Sequence, residues 1–357
     1  MTKKERVMVA MSGGVDSSVA AYLLLQAGYE CTGATMQMFS PEEIGISASE
    51  AFAPGEWADA AHVAQRLGIG FEAINCHSEF RKHVIDYFIN TYANGGTPNP
   101  CVECNRHLKF GRFLDHAMMT GHQKIATGHY ARIKCDANGR FYISAAADAT
   151  KDQTYVLWQL TQDQLAHTLM PLGEYRKEEI REIAEKNCFC NAKRRDSQDI
   201  CFIPDGDYVA FIQRTTGAEF PTGDFVDLNG NRLGTHQGAI RYTVGQRKGL
   251  GIAFGKPTYV CKKCMQDNTV TLGDNADLFS RELTAHGINL MATDRFDAPV
   301  RLSAKVRYSA KSALATVEQT DKDRLRIIFD EPQRAVCPGQ SVVLYDGNDL
   351  VGGGIID

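Results

Sequence analysis

Seven residues constrain this chain more than any others: Ser12-Gly13-Gly14-Val15-Asp16-Ser17-Ser18. They follow an apolar run, Val7-Met8-Val9-Ala10-Met11, and open a helical pattern from Val19 to Gln26. The spacing predicts strand, glycine turn, helix. Glycine adopts backbone angles closed to other residues, and its small size lets N–H groups close on an anion. The helix that follows aims the positive end of its dipole at the same point. Three serine hydroxyls add donors, and Asp16 can hold a magnesium ion. The expectation is a cradle for a polyphosphate. A plain Gly-Gly turn after a buried strand is the simpler reading, but it leaves the serines and the aspartate without a reason.

The chain of 357 residues exceeds what one hydrophobic core usually serves. A hydrophobic share of 43% and a charged share of 23% are those of an ordinary globular protein. The net charge of −4 argues against a wholly basic nucleic-acid coat, though not against local basic patches. No apolar stretch approaches a membrane span. Lys3, Lys4 and Arg6 precede only a short apolar run, a poor signal peptide, so a cytoplasmic location is expected. Eleven cysteines without a secretory signal read as reduced thiols rather than a disulfide framework.

Up to about residue 135 the pattern alternates. Strand candidates cover 6–11, 30–38, 71–75 and 124–127; helices fit 17–26, 57–67, 78–91 and 110–120. This predicts an α/β, doubly wound parallel sheet, with ligands at the carboxyl ends of its strands. Helical signals continue over 150–173 and 176–187. Beyond Asp205 short β-type runs take over, at 224–228, 258–261 and 269–272, then at 300–306, 313–318, 324–329 and 341–346. The expected organisation is a catalytic domain at 1–206, a small central β domain at 207–280 and a C-terminal β-barrel domain at 281–357.

Three cysteines stand apart. Cys101 and Cys104 lie in Thr97-Pro98-Asn99-Pro100-Cys101-Val102-Glu103-Cys104-Asn105, a Pro-rich loop entering a helix. Cys201 follows Lys193, Arg194 and Arg195. A helix dipole and cationic neighbours both favour the thiolate. Cys101-x-x-Cys104 alone is weak evidence for zinc, and Cys261-x-x-Cys264 falls between strand candidates. Cys188 and Cys190, closing a helix, read as packing residues; Cys31, Cys76, Cys135 and Cys337 read as inert. Tyr155 and Trp158, three apart, read as core.

The loop lacks Gly-x-x-x-x-Gly-Lys-Ser/Thr. Its order Ser-Gly-Gly-x-Asp-Ser resembles the PP-loop of ATP pyrophosphatases. Further blocks extend the likeness along nearly the whole length: Ala126-Thr127-Gly128-His129-Tyr130, Lys151-Asp152-Gln153-Thr154-Tyr155, Asp196-Ser197-Gln198-Asp199-Ile200-Cys201-Phe202, Arg241-Tyr242-Thr243-Val244-Gly245-Gln246-Arg247-Lys248, Val306-Arg307-Tyr308-Ser309, Pro338-Gly339-Gln340 and Gly352-Gly353-Gly354. Together these resemble the bacterial-type tRNA-specific 2-thiouridylases. The resemblance implies ATP-dependent exchange of the 2-oxo oxygen of the tRNA wobble uridine for sulfur, with Mg2+. It implies Cys104 as nucleophile and Cys201 as persulfide carrier. It places ATP at Ala10, Met11, Ser12, Gly13, Gly14, Val15, Asp16, Ser17, Met36 and Gly128. It places tRNA at Asn99, Pro100, Cys101, His129, Lys151, Asp152, Gln153, Arg307, Tyr308 and Gln340. The family's acceptors are tRNAs for Lys, Glu and Gln, and the implied sulfur donor is a cysteine desulfurase or a sulfur-relay protein.

Many members of that family carry Asp where this chain has Cys101. The substitution leaves two chemistries open. One uses a persulfide and a disulfide between Cys104 and Cys201. The other uses a [4Fe-4S] cluster held by Cys101, Cys104 and Cys201, with one iron free to bind sulfide. Outside this family, a PP-loop amide ligase acting on a small molecule needs neither thiol, and a non-catalytic RNA-binding protein does not need an intact Ser12–Ser18 loop. The cations of 241–248 suit phosphate contacts or a solvated turn equally well.

Overall fold

The computed structural model describes residues 4–44, 55–194, 200–252 and 255–357. Lys3, Arg195 and the run Asp196-Ser197-Gln198-Asp199 lie outside the described residues. The chain divides into two compact units. One contains residues 1–84, 101–206 and 348–351, and the other 85–100, 207–347 and 352–357.

In the first unit, β1 (Arg6–Ala10), β2 (Glu30–Gln37), β3 (Gly70–Asn75) and β4 (Lys124–Ala126) form a parallel sheet. A hairpin follows, β5 (Arg132–Cys135) with β6 (Phe141–Ser144). The two-residue β7 (Thr168–Leu169) then returns to the sheet, giving the order β3-β2-β1-β4-β7. Val7, Met8 and Val9 are consecutive and all fully buried, as a strand covered on both faces demands. Helices Val15–Gln26, Gly55–Leu67 and Lys177–Lys186 belong to this unit. The order reverses at β1, between β2 and β4, so the crevice of a doubly wound sheet opens beyond the carboxyl ends of β1 and β4.

Three expected helices take another form, the one at 78–91 through a π-helix over Arg81–Ile85. The stretch from Pro100 to Met119 is continuously helical but changes pitch: α over Pro100–Glu103, a π-helix over Cys104–Arg112, and α again over Phe113–Met119. Residues 150–173 are not one helix. They break into a 3-10 turn (Thr154–Leu157), a short helix (Gln162–Ala166), β7 and a second 3-10 turn (Pro171–Glu174). Thr161 causes one break, since its hydroxyl accepts from Gln164 N and restarts the helix. Pro171 opens the last turn. Tyr155 and Trp158 are fully buried, as core residues should be.

The second unit holds a helix the sequence pattern did not suggest, Tyr208–Thr216, beside Asp86–Ala93. Phe88 packs edge-on to Phe211, and Tyr92 stacks on Tyr208 with ring centroids 4.3 Å apart. A four-stranded sheet comprises β8 (Gly223–Val226), β9 (Arg232–His236), β10 (Tyr259–Cys264) and β11 (Thr269–Gly273), ordered β10-β11-β8-β9. Phe225, Tyr242, Val260 and Leu272 fill its core. Six antiparallel strands then close a barrel: β12 (Phe279–Leu290), β13 (Val300–Lys305), β14 (Ala313–Asp321), β15 (Arg324–Arg334), β16 (Ser341–Asp346) and β17 (Asp349–Ile356). Pairing of β12 with β17, from Ala285–Ile356 to Leu290–Gly352, completes the ring. The expected C-terminal barrel is present, with two strands, β12 and β17, that were not read from the sequence.

Within the first unit Phe80 packs against Phe39 at 5.4 Å and edge-on against Phe202 at 5.6 Å. Phe202 thereby fixes the segment that carries Cys201. Phe80→Ala should cost about 3–5 kcal/mol. Urea titration followed by fluorescence suits this test, because both tryptophans, Trp57 and Trp158, belong to this unit. An unchanged midpoint would show that the aromatic contact holds nothing in place.

Candidate functional site

The turn after β1 takes the expected form. Gly13 has φ 79°, a left-handed conformation that favours glycine. Val15 begins the helix, and Ser17 and Ser18 hydroxyls both donate to Gly14 O, at 3.1 and 3.0 Å. Ser12 N donates to Ser17 Oγ at 3.2 Å, folding the loop back over the helix start. The end of β4 comes down on this loop at Gly128. A Cβ there would stand 2.9 Å from Ser17 N and 3.0 Å from the Asp16 carbonyl carbon, so only glycine fits. Met36 is half-buried at the carboxyl end of β2, the strand beside β1.

Sequence reasoning missed two residues at this site. Asn191, 3% exposed, donates its amide to Gly13 O at 2.9 Å and Ser18 Oγ at 2.8 Å. Its Oδ1 is buried without a hydrogen-bond partner. Lys177, 6% exposed, places Nζ 2.7 and 2.8 Å from the two oxygens of Asp16, and Tyr130 OH donates to Asp16 Oδ1 at 2.7 Å. A polyphosphate fits this loop, given its glycine turn and its helix start. A magnesium ion on Asp16 does not fit this arrangement, since both carboxylate oxygens already accept from buried donors.

His129, Asp152 and Gln153 are spent on local structure. His129 is buried, with Nδ1 2.8 Å from Thr127 Oγ1, and its pKa is held well below the usual value, first by burial and then by Lys109. Asp152 accepts from Ala146 N at 3.1 Å and Thr154 Oγ1 at 2.6 Å, while Gln153 Oε1 accepts from Tyr130 N at 2.9 Å. Lys151 sits in the turn just before them.

The three cysteines belong to the same unit. Cys101 is exposed on the first helical turn and Cys104, buried, begins the π-helix. Wide turns of this kind recur at functional sites. Cys201 has an exposed face, and the protein packed around its other faces pushes its thiol up to about 12. The charges of Cys104 and then Cys101 add to that rise, and Lys109 opposes it. Residues distant in sequence are thus within electrostatic reach of one another, with all three thiols free. Burial pushes Cys104 up to about 11, again against Lys109. This corrects the expectation of resting thiolates: desolvation outweighs the helix terminus and the nearby cation. Among the described residues no three His, Cys, Asp or Glu side chains are disposed to hold a metal ion, so the cysteines do not fit a [4Fe-4S] cluster as they stand. Cys188 and Cys190 are exposed, contrary to their reading as packing residues, Cys188 because it takes a left-handed φ of 52° where its helix ends.

In the second unit, Thr97 N donates to Pro338 O at 2.8 Å, and Gln340 Nε2 donates to the carbonyls of Thr97 and Pro98 at 3.2 and 3.1 Å. Asn99 N donates to Tyr87 OH at 3.3 Å. Gln340 therefore sets the path of the Pro-rich turn that ends at Pro100. Tyr308 is 50% exposed with Lys305 Nζ 5.9 Å from its ring centre, a geometry open to stacking by an unpaired base, and Arg307 precedes it. Tyr242 is buried in the sheet core and offers no such face.

Three family models match in succession: the tRNA methyl transferase HUP domain at 5–205, the tRNA methyl transferase PRC-barrel domain at 209–274 and the aminomethyltransferase beta-barrel domain at 280–356. The tRNA-specific 2-thiouridylase MnmA of Clostridioides difficile is 46% identical over 358 residues, spanning 100% of this chain and 99% of its own. That of Acetivibrio thermocellus is 49% identical over 356 residues, spanning 99% of each. Among solved structures, the U34-tRNA thiolase NcsA from Methanococcus maripaludis with its [4Fe-4S] cluster aligns at TM-score 0.36 and 15% identity, covering 60% of this chain and 72% of that one. A 4-thiouridine synthetase–RNA complex with bound ATP aligns at TM-score 0.35 and 16% identity, covering 60% and 50%.

Raised thiol pKa values have a consequence for stability. Cys31, Cys76 and Cys104 all sit at about 11 instead of 9.0. An acid whose folded pKa exceeds its unfolded one adds stability below the unfolded value and loses it as pH rises through the folded value. The urea midpoint should therefore hold between pH 7 and 9 as far as these thiols govern it, and fall between 9 and 11. The Cys76→Ala variant should show a shallower fall. A variant that follows the wild-type pH profile throughout would refute the assignment.

Proposed function

We propose a function that proceeds from one premise: the chain belongs to the tRNA-specific 2-thiouridylase family. It is a tRNA-uridine 2-sulfurtransferase, using ATP supplied as its magnesium complex to replace the 2-oxo group of the wobble uridine with sulfur. The carbonyl oxygen of uridine is a poor leaving group. In our reading it attacks the α-phosphorus of ATP held at residues 10–17, Met36 and Gly128, and pyrophosphate departs. The adenylated oxygen can then leave as AMP.

Sulfur arrives as a persulfide on Cys201, loaded by a cysteine desulfurase or a sulfur-relay protein. Its terminal sulfur attacks C2 and expels AMP. Cys104, as the thiolate, then attacks the Cys201 sulfur and breaks the S–S bond. The electron pair stays with the sulfur on uridine, giving 2-thiouridine, and a Cys104–Cys201 disulfide remains for a cellular thiol to reduce. The observation that carries this reading is the electrostatic influence of Cys104 on Cys201, in the same unit as the phosphate loop. Both thiols rest protonated, so each must lose its proton when it reacts; Lys109, which favours the thiolate of both, is the nearest support for that step. The ligand geometry gives the alternative cluster chemistry no such support. An amide ligase would leave both cysteines without a task.

We assign Asn99, Pro100, Cys101, His129, Lys151–Gln153, Arg307, Tyr308 and Gln340 to the RNA side, with tRNAs for Lys, Glu and Gln as acceptors. His129, Asp152, Gln153 and Gln340 would act there by shaping the backbone. Domains at 1–206, 207–280 and 281–357 would divide catalysis from RNA holding. No helix among the described residues is long and apolar enough to cross a membrane, and we infer a cytoplasmic enzyme.

Cys104→Ala and Cys201→Ala should each abolish 2-thiouridine, measured by mass spectrometry of digested tRNA, while ATP binding persists. Either variant that still made 2-thiouridine at the wild-type rate would remove that cysteine from the mechanism.

A further inference from the structure

The carboxylate of Asp16 stands in the first turn of the helix that opens the phosphate loop, where a bare negative charge would face an incoming polyphosphate. It is not bare. Lys177 Nζ lies within hydrogen-bond distance of both its oxygens, and Tyr130 OH donates to one of them. The lysine is held from several sides. Its backbone N donates to Asp148 Oδ2 at 3.1 Å, and its ammonium lies 5.7 Å over the Tyr130 ring. The side chain of Lys177 is 7% exposed against 29% for Asp16, so the ammonium is the more deeply set partner. Tyr130 is itself 3% exposed and tied through its backbone N to Gln153.

A magnesium ion takes carboxylate oxygens at about 2.0–2.1 Å in octahedral geometry and tolerates little distortion. Its approach to Asp16 would require removing two donors and would set a divalent charge beside a buried ammonium. We propose that Asp16 is not a metal ligand in this enzyme, and that Lys177 is a positioning residue whose charge neutralises Asp16 so that the glycine turn can receive a polyphosphate. This rests on the reading that the loop binds ATP. The motif Ser-Gly-Gly-x-Asp-Ser has no lysine of its own; the fold supplies one from the start of the helix at Lys177–Lys186.

The test is binding of a fluorescent ATP analogue to the full chain, with EDTA and across a Mg2+ titration. Lys177→Met leaves the carboxylate uncompensated, so analogue binding in EDTA should weaken at least tenfold. Removing both charges, in Asp16→Asn with Lys177→Met, should recover affinity to within about threefold of wild type. Asp16→Asn alone should leave the Mg2+ midpoint within twofold. The inference is overturned if the double variant binds no better than Lys177→Met, or if Asp16→Asn raises the Mg2+ midpoint tenfold. Should Lys177→Met fail to fold, judged by near-ultraviolet circular dichroism, Tyr130→Phe with its unchanged charge offers a second route: its Mg2+ midpoint must also stay within twofold, and a tenfold shift would count against the proposal. A wild-type chain that binds no analogue at all would instead refute the ATP reading itself.

Discussion

The end of β4 touches the phosphate loop through a residue that has no side chain. At Gly128 the space left for a Cβ is filled by the backbone of Asp16 and Ser17. That contact sets the separation of two strand ends, and the other local relations follow from it. Tyr130, two residues on, can reach Asp16 because residue 128 is pressed against the loop. Tyr130 is then linked to Gln153, whose neighbour Thr154 begins the turn containing Tyr155 and Leu157. Substituting any larger residue at 128 would force the strand and the loop apart and disturb each of these in turn.

The cysteines illustrate how competing electrostatic effects are settled by magnitude. A helix terminus and a single half-buried lysine each favour a thiolate modestly. Removing a sulfur from water disfavours it more, and at Cys104 and Cys201 desolvation is the leading cause of the shift. Proximity between the two thiols pushes in the same direction, because a second negative charge nearby is costly. Closeness in space and ease of ionisation are therefore opposed here, with burial the larger influence.

Much of the first unit was legible because its signals are local. The run Val7-Met8-Val9 before two glycines announces a buried strand and a turn within eight residues, and β1 to β4 lie close to where periodicity put them. The π-helix from Cys104 was not legible, since nothing in residue pattern distinguishes it from an α-helix. Asn191 and Lys177 were missed because their partners lie over 150 positions away in sequence. One faint sign was available: Lys177 stands in the first turn of its helix, where the dipole disfavours a cation, and such a placement needs a compensating anion. β12 and β17 escaped for another reason. Their alternation is interrupted by Gly287 and by Gly352-Gly353-Gly354, and their register depends on closing a barrel rather than on any neighbour in sequence.

The raised pKa of Cys104 also bears on its reactivity toward oxidants. Peroxide attacks the thiolate, and the path through sulfenic to sulfinic and sulfonic acid is hard to reverse beyond its first step. A buried thiol whose pKa is pushed up to about 11 offers an oxidant little thiolate to react with. The same burial that disfavours ionisation of Cys104 also disfavours its first oxidation step.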